Sequence, residues 1–374
     1  MTAILQTWAF KNTLTAILVL VLILLIVKLS RREYWRLAGR EIRQKKGAML
    51  CFWILCLYMA IALLDSFGWR SAMRHPESGE IARHPQTRKI LYDKGASALD
   101  HLLTPLTKKR EKTYSAPLAK VQFNSETQLD ANGSTRRVHP PLKHPSSHLL
   151  GTDRVGVDVL YQSLKSIRTG MIIGLLTTLL AVPFAMFFGI SAGYYGGVLD
   201  DLIQYLYTVL SSIPTVLFIA AFMIIFGQGL PQLCLAMGIA SWTSLCRLLR
   251  GETMRLREAE FVQAAIALGS PGWKIIFRHI IPNVLHLILI TTVLRFSSEV
   301  LSEAALTYLG IGVGADTMSW GVMINDARSE LTRDPIIWWK LLAAFLFMLA
   351  LVLPANAFGD AVRDALDPKL RTQE

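Results

Sequence analysis

TGMIIGLLTTLLAVPFAMFFGISAG, residues 169–193, runs for twenty-five positions without a charged side chain. A membrane-spanning helix needs roughly 20 consecutive apolar residues, and this stretch supplies them. Working outward, six further runs share its character: 12–27, 48–64, 202–227, 230–246, 280–300 and 336–358. Spanning β-strands need only about 9–11 residues and alternate in polarity. These runs are longer and do not alternate. The predicted fold is an all-α membrane protein, a polytopic helical bundle.

The rest of the composition agrees. Of 374 residues, 52% are hydrophobic and only 18% charged, with a mean hydropathy of +0.40. Soluble domains carry about 25% charged residues. The formal net charge is +12, which in a soluble chain would suggest nucleic acid. Here the basic residues flank the apolar runs, and no RNA-binding sheet motif or zinc-finger spacing occurs. The lipid bilayer, not nucleic acid, is the expected partner. Cys51, Cys56, Cys234 and Cys246 all lie in or beside apolar runs, with no C-x-x-C pair. They read as small buried hydrophobes, not as a disulfide scaffold or a metal site.

Cytoplasmic loops carry an excess of Lys and Arg. Segment 28–46 holds eight basic residues against two acids and is assigned to the cytoplasm, with the N-terminus outside. Alternation then puts 66–150 outside, 247–279 inside and the C-terminal tail inside. Segment 66–150 is polar, lacks long periodic runs and holds six of the eight histidines. It is expected to be largely irregular, with His139, His144 and His148 scattered on its surface.

Residues 252–282 read ETMRLREAEFVQAAIALGSPGWKIIFRHIIP. Glu, Arg, Leu, Met and Ala favour a helix. Phe261, Ala264, Ala265 and Leu268 recur at helical spacing, with Glu258 and Glu260 on other faces. Gly269 is placed to end the helix in a left-handed residue. Ser270 then reads as an N-cap and Pro271 as the next helix's first position. The result is helix, sharp turn, helix in a cytoplasmic loop. Two adjacent alanines permit close approach by another protein; an amphipathic helix lying on lipid is the competing reading.

At these residues a family resemblance becomes specific. Gln263-Ala264-Ala265, three residues, Gly269, nine residues, then His279-Ile280-Ile281-Pro282 is similar to the EAA motif of ABC importer permeases. Gln263 stands for the family's usual Glu, and His279 for its usual Ile. RHIIPN (278–283) and AIALG (265–269) resemble strings of the dipeptide and oligopeptide branch, as do HLLGTDRVGVDVL (148–160), with Val157 for the usual Arg, and AGYYGGVLD (192–200). SEAALTYLGIGV (302–313), SWGVMINDARSEL (319–331) and GDAVRDALDPKLR (359–371) resemble its downstream strings. The match covers roughly 40–65 and 145–371.

The resemblance implies a six-helix ABC importer permease core, of the C-type subunit, plus one extra N-terminal helix. The implied divisions are the extra helix at 1–30, a basic segment and first core helix at 31–65, an extracytoplasmic insertion at 66–150, and the permease domain at 151–374 with its coupling segment at 252–282. Glu260, Gln263, Ala264, Ala265, Gly269 and Pro282 would couple to the ATPase. The implied partners are a second homologous permease, two ABC ATPase subunits and an extracytoplasmic binding protein, in a bacterial inner membrane. No cofactor is expected on this chain; ATP and Mg would bind the ATPases, since no G-x-x-x-x-G-K-[ST] occurs here. The chain is therefore not expected to be an enzyme. Peptides are the implied cargo, with nickel chelates or peptide antibiotics as alternatives. A stand-alone secondary transporter, which should show two related halves, is the reading from a different class.

Within the membrane runs, Gly170/Gly174 and Gly189/Gly193 form G-x-x-x-G pairs that allow close helix packing. Pro183, Pro214 and Pro354 are expected to kink their helices. Arg295 and Glu299 lie one turn apart inside an apolar run, with Glu303 a further turn on. Intramembrane charges commonly face a cavity. Two readings stand: Arg295 and Glu299 line the translocation path with Glu303 near its outer mouth, or they are a structural ion pair.

Overall fold

The computed structural model describes residues 33–70, 95–129 and 135–366, with scattered positions between Trp8 and Lys28. The expected extra helix at 1–30, those positions aside, and the basic tail with Lys369 and Arg371 lie outside the described residues. Helices dominate what is described, because a chain crossing hydrocarbon must satisfy its own N–H and C=O groups. In chain order the elements are α1 (Glu33–Gln44), α2 (Lys46–Ser66), strands β1 (Gly68–Trp69) and β2 (Ala96–Ser97), short helices α3 (Ala98–Leu102) and α4 (Thr104–Thr107), and strands β3 (Glu126–Leu129) and β4 (Thr135–Val138). Then come α5 (Val159–Tyr195), α6 (Gly197–Ser212), α7 (Thr215–Phe226), α8 (Leu230–Arg257), α9 (Glu260–Ala267), α10 (Gly272–Ile275), a π-helical turn (Ile276–Ile280), α11 (Ile281–Tyr308), α12 (Trp320–Glu330) and α13 (Trp339–Leu366).

Among the described residues, five helical stretches are long and apolar enough to cross a membrane: α2, α5, α8, the stretch Gly272–Tyr308 and α13. A sixth arises if α6 and α7 count as one span. This pair corrects the expectation of a continuous helix over 202–227. The axes bend by 85° at the break. Pro214 is not a kink inside a helix but the residue that opens α7, and Ile213 before it is extended, at φ −86° and ψ 126°. The proline ring disfavours helical geometry at the residue preceding it, so α6 stops there. Pro183 and Pro354 do lie inside α5 and α13.

The chain divides into two compact units. One holds Ala38–Leu55, Thr169–Ser329 and the chain from Met348 onward. Its packing is set by glycines. A Cβ on Gly189 would come 2.5 Å from the Cys246 carbonyl, and one on Gly193 2.6 Å from that of Arg250, so α5 lies directly on the backbone of α8. Gly170 sits under Trp320 and Gly174 under Phe296. Both G-x-x-x-G pairs therefore serve packing within the chain. Around these contacts Ala181, Ala185, Leu245, Cys246, Leu249 and Val284 form a buried core. At one end Lys45 Nζ reaches Asp364 Oδ2 at 2.9 Å, which brings the start of α2 and the end of α13 together.

The other unit holds Cys56–Arg168 and Glu330–Phe347 with the N-terminal segment. We call its folded polar part the cap. As expected, most described residues of 66–150 lie outside helices and strands, yet the segment is folded around a few short elements. β1 pairs with β2 and β3 with β4, both antiparallel. Ser97 and Asp100 form a reciprocal capping box at the start of α3, which satisfies two orphan amides at once. Trp339 at the start of α13 donates its indole N–H to the Thr152 carbonyl at 3.0 Å and stacks edge-on against Phe123. Tyr114 donates to Glu330 at 3.2 Å. Burial, reinforced by that carboxylate, pushes the Tyr114 hydroxyl up to about 12, so it stays a donor at neutral pH.

His148 is a second correction. It is buried, with Nδ1 2.9 Å from Asp158 Oδ2 and Nε2 3.7 Å from Glu111 Oε1. A polar-looking string hid it because its two partners lie 10 and 37 positions away in sequence. Nearby, Lys165 bridges Asp65 at 2.7 Å and Asp100 at 2.9 Å, and Arg168 adds to Asp65 at 3.4 Å. This charge clamp joins the end of α2, the capping box of α3 and the first turns of α5.

Candidate functional site

α8 ends at Arg257, and Ala259, extended at φ −69° and ψ 143°, starts a new short helix, α9. Helix ends leave carbonyls without partners. Gln263 answers one of them: its side-chain amide donates to the Arg257 carbonyl at 2.8 Å. A glutamate, acceptor only when ionised, could not make this bond. Glu260 sits in the first turn of α9, where a negative charge meets the positive end of the helix dipole.

The buried face of α9 differs from the expected one. Val262 and Ala265 turn into the core, while Phe261, Ala264, Ile266 and Leu268 are exposed, Leu268 at 85%. The expected stripe of Phe261, Ala264, Ala265 and Leu268 is thus split. Of the two adjacent alanines, only Ala264 is available to another surface. The remainder is a short helix with an outward apolar face.

Gly269 ends α9 at φ +73°. The Ser270 amide bonds the Ala265 carbonyl at 3.1 Å and the Gly269 amide bonds the Ile266 carbonyl at 2.9 Å. This is the Schellman pattern, which needs a left-handed residue at this position. The next helix is capped one residue later than expected. Pro271, not Ser270, is the N-cap, and its carbonyl accepts from Lys274 and Ile275. Gly272 then packs on Tyr194 at the end of α5. The π turn before α11 has a local cause. Pro282 lacks an N–H and its ring crowds the carbonyl four residues back, which widens the turn. Asn283 donates its side chain to the His279 carbonyl at 2.6 Å there. Glu260, Gln263, Ala264, Ala265 and Gly269 therefore share one helix and its turn. Pro282 stands apart, at the foot of α11.

The other predicted residues lie along α11. Arg295 Nη1 and Glu299 Oε1 are 3.8 Å apart, and Arg295 also donates to Ser244 of α8. Both keep a small opening to the surface. Glu303 does not: it is 1% exposed and accepts from Thr307 at 2.8 Å. The expectation of Glu303 at an outer mouth is corrected, because the chain after α11 folds over it. A Cβ on Gly321 would lie 3.1 Å from its Oε1, and the Val313 amide bonds Thr307.

Sequence reasoning assigned no role to Asp200. In the first turn of α6 it takes Arg250 Nε at 2.5 Å and Nη2 at 2.7 Å, a bidentate pair joining α6 to α8. The string AGYYGGVLD that contains it was the available signal.

A family model, described as the binding-protein-dependent transport system inner membrane component, matches residues 185–372, half of the chain, including α9, its turn and α11. The chain belongs to this family. Similar proteins include the oligopeptide transport system permease protein OppC of Haemophilus influenzae, 35% identical over 60% of this chain and 71% of that protein. The dipeptide transport system permease protein DppC of Alkalihalophilus pseudofirmus is 35% identical over 67% and 80%. The glutathione transport system permease protein GsiD of Pectobacterium atrosepticum is 34% identical over 61% and 74%. The protein is thus an ABC importer permease, a multi-pass component of the inner membrane, which works with ATPase and other subunits and is not itself an enzyme.

Proposed function

We propose that this permease forms half of the translocation path for short peptides. A second homologous permease supplies the other half. Two ATPase subunits bind ATP and Mg, and an extracytoplasmic binding protein delivers the cargo. Support for peptide cargo comes from the relatives, whose names specify oligopeptides, dipeptides and glutathione, itself a small peptide. The observation that carries the coupling reading is α9: a separate short helix, fixed from behind by Val262, Ala265 and the Gln263 amide, with Phe261, Ala264, Ile266 and Leu268 facing out. Such a face fits a groove on a partner.

Nucleotide can shift a two-state permease only by favouring one conformation over the other. In this reading α9, Gly269 and the turn to α11 carry that preference from the ATPases to α11. There Arg295 and Glu299 face the path, with Glu303 bracing its far end. The insertion 66–150 lies outside and the α9 loop inside. The basic segment 28–46 supports this orientation, and the Lys45–Asp364 pair supports a cytoplasmic C-terminal end of α13 alongside it. The N-terminus lies outside.

The test is gentle detergent purification of the tagged chain, mass spectrometry of what accompanies it, and uptake of labelled di- and tripeptides by the reconstituted complex. A second permease, P-loop ATPases and ATP-dependent peptide uptake are expected. Recovery of the chain alone across several detergents overturns the reading.

A further inference from the structure

The cap separates its charges by depth. Among the described residues of 95–158, Glu111, Asp153 and Asp158 are all buried. Each is consumed as an internal acceptor. Glu111 takes the Lys143 and His144 amides at 3.0 and 2.7 Å. Asp153 takes the Val155 and Val157 amides and the Gln162 side chain. Asp158 takes the Leu160 and Tyr161 amides and faces His148. Of the remaining acids, Asp100 sits in the Lys165 clamp and Glu126 is paired with Lys112. The basic residues point the other way: Lys108, Arg110, Lys120, Lys143 and Arg154 are exposed, as are Arg136 and Arg137 on β4. In the segment 330–347, exposed Arg333 and Asp334 offset each other.

The basic residues are also gathered in space. The Glu111 amide bonds the Gly156 carbonyl at 3.1 Å, Arg110 Nε bonds the Val155 carbonyl at 3.0 Å, and Lys143 follows onto Glu111. Beside them two turn-rich segments run together. The Leu118 amide bonds the His148 carbonyl at 2.8 Å, and the Ser146 amide bonds that of Ala119 at 2.9 Å. Lys109 reaches Ser147 on this ridge. Leu118 and Leu149 are 54% and 55% exposed there, with Lys109, Lys120 and Lys143 around them. A small apolar centre within a charged rim is the anatomy of a protein interface, whereas a surface for polyanions or lipid headgroups needs no such centre.

We propose that this face of the cap, Leu118 and Leu149 ringed by Lys109, Lys120 and Lys143, docks an acidic surface of the extracytoplasmic binding protein. The inference rests on the importer reading and on the outside placement of the cap. Like-signed charge over a whole face steers an oppositely charged partner, so its effect falls on association rate and salt dependence more than on dissociation.

The test uses the assembled complex in phosphatidylcholine nanodiscs, with the binding protein encoded alongside the permease carrying a fluorophore. Lys109→Glu/Lys120→Glu/Lys143→Glu is compared with the wild type, with the corresponding triple Gln variant as a milder second. The expected result is an association rate lower by roughly tenfold or more in the Glu variant, intermediate in the Gln variant, with wild-type association falling steeply as salt rises. Equal rates for wild type and Gln variant, or salt-independent wild-type association, overturn the proposal. So does a result in which the variants bind normally but lose a response to added phosphatidylglycerol, which would assign the face to lipid. ATPase co-purification and basal ATP hydrolysis, read in the same preparations, report on the importer reading separately.

Discussion

Asp200 and Arg250 form a two-point ion pair, Oδ1 to Nε at 2.5 Å and Oδ2 to Nη2 at 2.7 Å, between the first turn of α6 and the C-terminal third of α8. Gln204 adds a third bond to the carboxylate. Both side chains are mostly buried. Removing one partner of such a pair strands the other charge, at a cost of about 3 kcal/mol or more. Asp200→Ala and Arg250→Ala should each lower the melting temperature of the purified complex sharply. The double variant should lose less than their sum. Arg250→Lys should not restore stability, since an ammonium cannot reproduce the planar fork. Additive losses would show that the pair is not coupled.

Gly269 offers a cleaner separation of conformation from contact. Nothing lies within 4 Å of where its Cβ would be, so a side chain there meets no obstacle. The φ of +73° alone penalises it. Gly269→Val should cut uptake strongly while leaving membrane insertion and ATPase recovery intact, since β-branched residues resist the left-handed region. Gly269→Asn should retain far more uptake, because Asn tolerates that region. Wild-type uptake in the Val variant would count against α9 as the coupling element.

Arg295 and Glu299 separate the two readings of the intramembrane charges. If they face cargo, Arg295→Met and Glu299→Gln should each alter peptide preference or transport rate at unchanged stability. If they are only a structural pair, both should lower the melting temperature and leave preference alone. Competition between acidic, neutral and basic dipeptides in proteoliposomes distinguishes the two.

The Lys165 clamp makes the cap sensitive to acid. Burial pushes the Asp100 carboxyl up, but the Ser97 amide, Lys165 and the Tyr161 hydroxyl outweigh it and hold it below the ordinary aspartate value. A carboxyl depressed in the folded state contributes stability above its unfolded value, near 3.9, and loses it as pH falls through the folded value. Cap amide protection by hydrogen exchange should therefore hold between about pH 7 and 5 and decline below about pH 4. Lys165→Met should lower protection at neutral pH and flatten the acid decline. Identical pH profiles for the two proteins would remove the clamp from the account.

Much of the fold was legible because membrane crossing imposes its demand locally. The existence of α2, α5, α8 and α13 follows from charge-poor runs, although α5 begins ten residues before its run and α8 ends eleven residues after its own; the stop after α9 follows from one glycine. Pro214 was visible too, but a proline announces an interruption without fixing its angle. The 85° bend depends on how α7 packs against α8. The cap was not legible. Its hydrogen bonds join strings without periodicity, and its acids look like surface residues until their amide partners are brought near. Asp200 was missed for the same reason: its partner is 50 positions away.

The sequence by itself determined most of the apolar helices in outline, the left-handed turn at Gly269 and the family, since each is written in contiguous residues. Only the tertiary structure decided which side of α9 is buried, that Glu303 is enclosed, that His148 is a core residue, and that the glycines of α5 seat Trp320, Phe296 and the backbone of α8. Burial and pairing are properties of neighbours, and these neighbours come from distant parts of the chain.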